Sequence, residues 1–169
     1  DKDGKPTGES DKTLHAQARM IFTFSTIANC GHDPDGYFAG EAARGAQFVR
    51  DHFWDPDNEG WFWICDRHGK PIDDKKLAYG HSFMIHALSE LALTGKSDWA
   101  LEWAEKTWET FTLRAADNTN GGYWEFFRRD WSPTLPGPYG GDRKSLDVHM
   151  HLMEAFTNLY KASGKQQHK

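Results

Sequence analysis

Apolar residues crowd three stretches of the chain on almost every side: 12–29, 77–94 and 145–163. Runs such as Met20-Ile21-Phe22 leave little room for a polar face, which predicts helices enclosed by protein rather than lying on a surface. Each stretch is followed within a residue or so by Gly31, Gly95 or Gly164, suited to the left-handed position that ends a helix. Between them, apolar residues recur at spacings of three and four. The stretch 36–52 carries Ala39, Ala42, Ala43, Ala46, Val49 and Phe53 on or near one face, and 97–114 carries Ala100, Ala104, Thr107, Trp108 and Phe111. That spacing predicts amphipathic helices with one buried side. Ser97 is the expected N-cap of the second, and the regions of Pro34 and Pro133 read as loop or helix-start punctuation.

The pattern repeats. Gly60-Trp61-Phe62-Trp63-Ile64-Cys65-Asp66-Arg67 returns 62 residues later as Gly122-Tyr123-Trp124-Glu125-Phe126-Phe127-Arg128-Arg129, the two copies closing at Pro71 and Pro133. The opening Gly4-Lys5-Pro6 matches Gly69-Lys70-Pro71 at an offset of 65, as the tail of a third copy would. The segments 60–66 and 122–128 are short, aromatic and bounded by turn residues, so they read as small strands or extended segments. A hairpin of one apolar and one amphipathic helix, recurring about every 65 residues, describes an inner ring wrapped by an outer ring. The expected fold is all-α, an α/α toroid with three inner and two outer helices, and residues 1–169 form a single partial domain. The inner wall would lie open over a large apolar area, which calls for further protein or self-association.

Composition narrows the partners. Lys and Arg number 20 against 25 Asp and Glu, a net charge of −5, so no positive field gathers nucleic acid or anionic membrane. No apolar run reaches the roughly 18 residues of a membrane span. Cys30 and Cys65 stand apart with no Cys-x-x-Cys, which suits free thiols in a reducing compartment and points to the cytoplasm. Aromatic residues reach 14%, with 8 Trp, 5 Tyr and 11 Phe. Such rings pack cores, and they also stack on sugar rings, whose faces are apolar and whose rims carry hydroxyls.

Sliding the inner helices over one another places Arg19, Phe83 and His151 in register. One turn earlier stand His15, Tyr79 and Asp147; one turn later Phe22, His86 and Glu154; then Thr26, Glu90 and Asn158. Asp147, His151, Glu154 and Asn158 make a polar stripe on an otherwise apolar rod. A polar stripe inside a ring implies a wet lumen, since enclosed polar groups need partners. The pocket is expected at the N-terminal ends of the inner helices, where free N–H groups favour an oxygen-rich guest. The four-residue spacing of Asp147 and His151 allows the carboxylate to orient the imidazole. His81, His86 and His149 read as satisfied core or edge histidines. His149 and His151 point apart and cannot chelate one metal together.

Taken jointly, the segment around Arg19 (ARMIFTFS), Arg50–Asp55 (RDHFWD), Tyr79–Phe83 (YGHSF), Gly121–Pro133 (GGYWEFFRRDWSP) and Asp147–Tyr160 (DVHMHLMEAFTNLY) resemble the N-acylglucosamine 2-epimerase superfamily. The resemblance runs nearly end to end and implies an incomplete (α/α)6-barrel. It also implies a sugar epimerase or aldose–ketose isomerase that moves a proton at the carbon next to the carbonyl of an open-chain sugar, with no metal and no cofactor. By resemblance, Arg19 contacts the substrate near its reacting oxygens, and Tyr79 and His151 line the pocket on the next two inner helices. Asp147 stands where relatives often carry Asn, and His15, one turn before Arg19, is a further candidate for the lining. Arg19 and His151 suit the chemistry: a fixed cation beside a developing oxyanion, and an imidazole able to move protons near neutral pH. The family's main acid/base histidines lie on later inner helices. Six hairpins need about 390 residues, so this chain is expected to supply one wall of the pocket and to be inactive alone. An inverting glycoside hydrolase, with Glu90 and Glu154 as inward carboxylates set deep, and a non-catalytic glycan-binding module are the alternative readings.

Overall fold

A computed structural model describes residues 3, 5, 8 and 10–169; Gly4 and Pro6 of the opening partial copy lie outside the described residues. Among the described residues five α-helices follow one another: α1 (Leu14–Asn29), α2 (Tyr37–Phe53), α3 (Ala78–Leu93), α4 (Ala100–Ala115) and α5 (Leu146–Ser163). α3 packs against α1 on one side and α5 on the other, while α2 backs α1 and α4 backs α3. This is the expected alternation of inner and outer helices. Gly31, Gly95 and Gly164 all adopt positive φ just past the inner helices, as the stop signals required.

The outer helices bury the stripes their periodicity indicated. Ala39, Ala42, Ala46, Val49 and Phe53 of α2 are buried, as are Ala100, Ala104, Thr107 and Phe111 of α4. The methyl-sized residues bring backbone close to backbone, and a single phenylalanine anchors each helix. The inner helices differ from expectation. Eleven of the sixteen residues of α3 are buried, against four of sixteen in α1 and five of eighteen in α5. Only α3 has protein on both flanks. α1 and α5 each keep one open side, where Met20 is 52% and Met153 64% exposed. Ser97 also departs from its expected role: α4 opens at Ala100 after Trp99, with no side-chain cap, and the Ser97 carbonyl accepts from Ala100 N–H.

The aromatic segments form two small sheets. β1 (Lys12–Thr13), β2 (Ile64–Cys65) and β3 (Pro71–Asp73) pair antiparallel in that order, and β4 (Lys76–Leu77) pairs with β5 (Phe126–Phe127). Each sheet delivers the chain into an inner helix. Leu14 N–H donates to Trp63 O, and Ala78 N–H to Glu125 O, both at 2.9 Å.

The repeat extends to individual hydrogen bonds. Asp55 N–H donates to Gly60 O and Asp117 N–H to Gly122 O, again both at 2.9 Å. The Trp61 amide donates to His81 Nε2, and the Tyr123 amide donates to His149 Nε2, each at 3.0 Å. Because each Nε2 accepts, each Nδ1 carries the proton and donates to a carbonyl at 2.8 Å, Leu77 for His81 and Ser145 for His149. Gly60 and Gly122 are required at these contacts. Both have positive φ, and a Cβ would stand 2.8 Å from His81 Nε2 or 2.7 Å from His149 Nε2. Lys76 donates to Asp55 (3.1 Å) and to Gly60 O (3.3 Å), while Lys144 donates to Asp117 and to Gly121 O.

In the first copy the ion cluster is dry. Asp55 and Lys76 are fully buried, and Arg129 completes the cluster with two bonds of 2.9 Å to the Asp55 carboxylate. Burial favours the neutral acid, but the bonds from Arg129 and Lys76 prevail and hold Asp55 well below the ordinary carboxylate range. Burial pushes Lys76 down to about 8.

Two stability predictions follow from these buried groups. Asp55→Ala strands two cations and should cost about 3–5 kcal/mol in urea unfolding, more than Lys76→Met, which leaves Arg129 on the carboxylate. Burial holds His81 neutral down to about 3, whereas the unfolded chain protonates it near the ordinary 6.5. Its contribution is therefore complete above 6.5 and lost as pH falls toward 3, and His15, His86 and His168 are shifted in the same direction by burial. Denaturant midpoints should decline from pH 7 to about 4.5, with His81 alone contributing on the order of 1 kcal/mol per unit. A flat profile would contradict the neutral buried histidine.

Candidate functional site

Histidine contacts with the aromatic loops set the rotation of α3 and α5. Residues two apart on a helix lie on nearly opposite sides. With His81 turned toward its loop, Tyr79 and Phe83 face the other way; with His149 turned toward its loop, so do Asp147 and His151. These faces meet the polar side of α1.

Phe83 is the hub of the result. The Arg19 guanidinium carbon lies 5.3 Å from its ring centre. The rings of His15, Tyr79 and His151 lie at 4.8, 4.9 and 4.7 Å. Tyr79 also meets His15 at 5.1 Å and stands edge-on to His151 at 5.3 Å. All five residues singled out from sequence, His15, Arg19, Tyr79, Asp147 and His151, thus fall in one neighbourhood, with Asp147 Oδ1 3.7 Å from His151 Nε2.

A cavity of about 520 Å³ opens beside Phe83, walled by Arg19, Phe22, Thr23, His86, His151 and Glu154 as well. Four of these side chains, Arg19, His86, His151 and Glu154, titrate or carry charge, and the phenyl rings supply an apolar floor. A polar ligand with apolar ring faces fits such a wall. His15, Tyr79 and Asp147 stand one turn nearer the helix N-termini than the cavity.

The location corrects the expectation of a pocket at free helix N-termini. Several of the N-terminal N–H groups are already used: Leu14 and Ala78 donate to the aromatic segments, Ala16 to Thr13 Oγ1, and Val148 to Ser145 Oγ. The cavity therefore forms in the second and third turns, where side chains rather than backbone amides face it.

Two further departures concern electrostatics. Asp147 does not hold the His151 imidazole. Glu154 does, with Oε2 3.0 Å from Nδ1, while the Asp147 contact at 3.7 Å is too long for a hydrogen bond. Glu154 is also not deep, since its side chain is 47% exposed. Glu90 is deep and fully engaged: Asn29 Nδ2 donates to Oε1 at 2.7 Å and Asn158 Nδ2 to Oε2 at 3.1 Å. This carboxylate ties the C-terminal parts of α1, α3 and α5 together below the cavity.

His86 belongs to the site rather than to the core. Its ring packs on Phe22 at 4.3 Å and lines the cavity. Burial lowers its pKa, and Glu154 and Glu90 oppose that shift. Burial lowers His15 too, with Arg19 and His151 adding repulsion. His15 Nε2 is buried and accepts or donates no hydrogen bond. Phe22, His86 and Glu154 were all in register one turn past Arg19; the signal for them was present, but a histidine in an apolar helix is more often structural. Among the described residues, no helix is long and apolar enough to cross a membrane.

The chain is 29% identical over 169 residues to the cellobiose 2-epimerase of Bacteroides fragilis, covering 94% of this chain and 42% of that protein. It is 28% identical over 132 residues to the D-mannose isomerase of Thermobifida fusca, covering 73% and 31%. The chain spans about two fifths of the length of the cellobiose 2-epimerases it matches. Its structure superimposes on cellobiose 2-epimerase from Spirochaeta thermophila with a TM-score of 0.86 at 28% identity, covering 96% of this chain and 41% of that one. Its helices are thus three inner and two outer helices of an (α/α)6 barrel. The N-acylglucosamine 2-epimerase (GlcNAc 2-epimerase) family profile matches residues 1–169, and the chain belongs to that family.

Proposed function

We propose that this chain forms one wall of the pocket of a sugar epimerase or aldose–ketose isomerase acting on an open-chain sugar. The observation that carries the reading is that Arg19 and His151 both pack on Phe83 and line one cavity. Proton removal next to a carbonyl creates an enediolate. Arg19 is a permanent cation suited to its oxygens, and His151 offers an imidazole nitrogen to a sugar hydroxyl. Tyr79, Asp147 and His15, a turn nearer the helix N-termini, supply polar groups for the remaining hydroxyls. Asp147 accepts only, so it selects for donating hydroxyls where an amide would tolerate either sense. The proton at the reacting carbon is moved by histidines of the later inner helices, so the isolated chain has no turnover.

A specific observation weakens the hydrolase reading. An inverting hydrolase needs two available carboxylates about 6.5–9.5 Å apart, and both oxygens of Glu90 are already held by asparagine amides.

The full-length protein carrying this chain should exchange the C2 hydrogen of mannose, cellobiose or N-acetylmannosamine in heavy water. New reducing ends instead would favour a hydrolase, and binding without either reaction would favour a glycan-binding module. Exchange by the isolated chain would contradict the division of labour proposed. Arg19→Lys should lower kcat/KM on the order of 100-fold, because a point charge replaces a planar fork of donors at the oxyanion. Near-normal kinetics would remove Arg19 from the site.

A further inference from the structure

The His151 ring has two neighbours of the same chemical kind. Glu154, one turn toward the C-terminus of α5, places Oε2 3.0 Å from Nδ1. Asp147, one turn toward the N-terminus, remains 3.7 Å from Nε2 and is 64% exposed. Tyr79 edge-on and Phe83 tilted enclose the ring between them, leaving His151 16% exposed. A free imidazole in water prefers no fixed tautomer strongly. A carboxylate that accepts from Nδ1–H removes the choice and leaves the lone pair on Nε2.

We infer that Glu154 is the positioning residue of this site: it fixes His151 as the Nδ1–H tautomer and so presents Nε2, as an acceptor, to the ligand. Asp147 is thereby released from orienting the imidazole, and its carboxylate stays exposed one turn nearer the N-terminus of α5. The two carboxylates of one helix stripe have different tasks, decided by 0.7 Å of reach. The kinetic part of this inference rests on the sugar reading above; the tautomer part does not.

The test uses protein labelled with nitrogen-15 in its histidines, at a pH where His151 is neutral. The wild type should show His151 protonated at Nδ1 and bare at Nε2. Glu154→Ala should shift that signature toward the other tautomer. Glu154→Gln, whose amide oxygen can accept the same bond, should keep it. In the full-length enzyme, Glu154→Ala should lower kcat by roughly tenfold or more with little change in KM, the scale on which partners that orient a working imidazole act, and Glu154→Gln should restore most of the loss. An unchanged tautomer in folded Glu154→Ala would overturn the inference. So would the loss of kcat in both variants alike. If the wild type catalysed no sugar reaction, the functional reading would fail while the spectra still decided the role of Glu154.

Discussion

The architecture depends on a histidine near the start of an inner helix accepting the amide hydrogen of the aromatic turn before it. It occurs twice, Trp61 to His81 and Tyr123 to His149, at the same distance and with the carbonyl four residues earlier as the partner of the other nitrogen. Each bond contributes only about 1 kcal/mol net, yet an unmet buried amide would cost about 1–3 kcal/mol. Its larger effect is geometric. A histidine committed to the loop cannot turn toward the axis, and residues two positions to either side must. Tyr79 and Phe83, then Asp147 and His151, share the face opposite the loops because their intervening histidine faces the loop, and Phe83 and His151 line the cavity.

The same turn shows why a repeat need not be uniform. Both copies anchor an aspartate at the start and a lysine arriving from the next element. In the first copy Asp55 and Lys76 are sealed from water and recruit Arg129 from the second copy, so the two repeats are bolted together by charge. In the second copy Lys144 remains partly exposed, at 22%, and the aspartate is held by its own loop and by Lys144. A buried ion cluster contributes little net stability compared with apolar packing, but it penalises every arrangement that leaves one member unpaired. Arg129 thereby links the segment after β5 to the loop before β2.

Much of this was legible in the chain. The helix alternation, the stop glycines and the outer-helix stripes follow from periodicity and left-handed φ, which are local properties. The register of Arg19, Phe83 and His151 was readable because the repeat aligns the inner helices to the residue. What escaped depends on tertiary contact. Ser97 offers the right hydroxyl for a cap, but the chain enters α4 through Trp99, whose ring packs on the apolar cluster and on Arg50 at 4.3 Å. The first-turn amides looked available for a ligand because their acceptors, Trp63 and Glu125 carbonyls, lie far away in sequence. Asp147 and Glu154 both sit one turn from His151, and spacing alone does not say which carboxylate reaches the ring.

Phe83 shows how an apolar residue can organise a polar site. Arg19 is always charged, and both its guanidinium and the His151 imidazole reach the cavity wall packed on one phenyl ring. Phe83 supplies that ring. Its face takes the guanidinium at 5.3 Å, an attraction with the ring quadrupole, and its tilt against the imidazole at 4.7 Å holds that ring in place. The aromatic wall of this cavity therefore holds the Arg19 guanidinium and the His151 imidazole against one common ring.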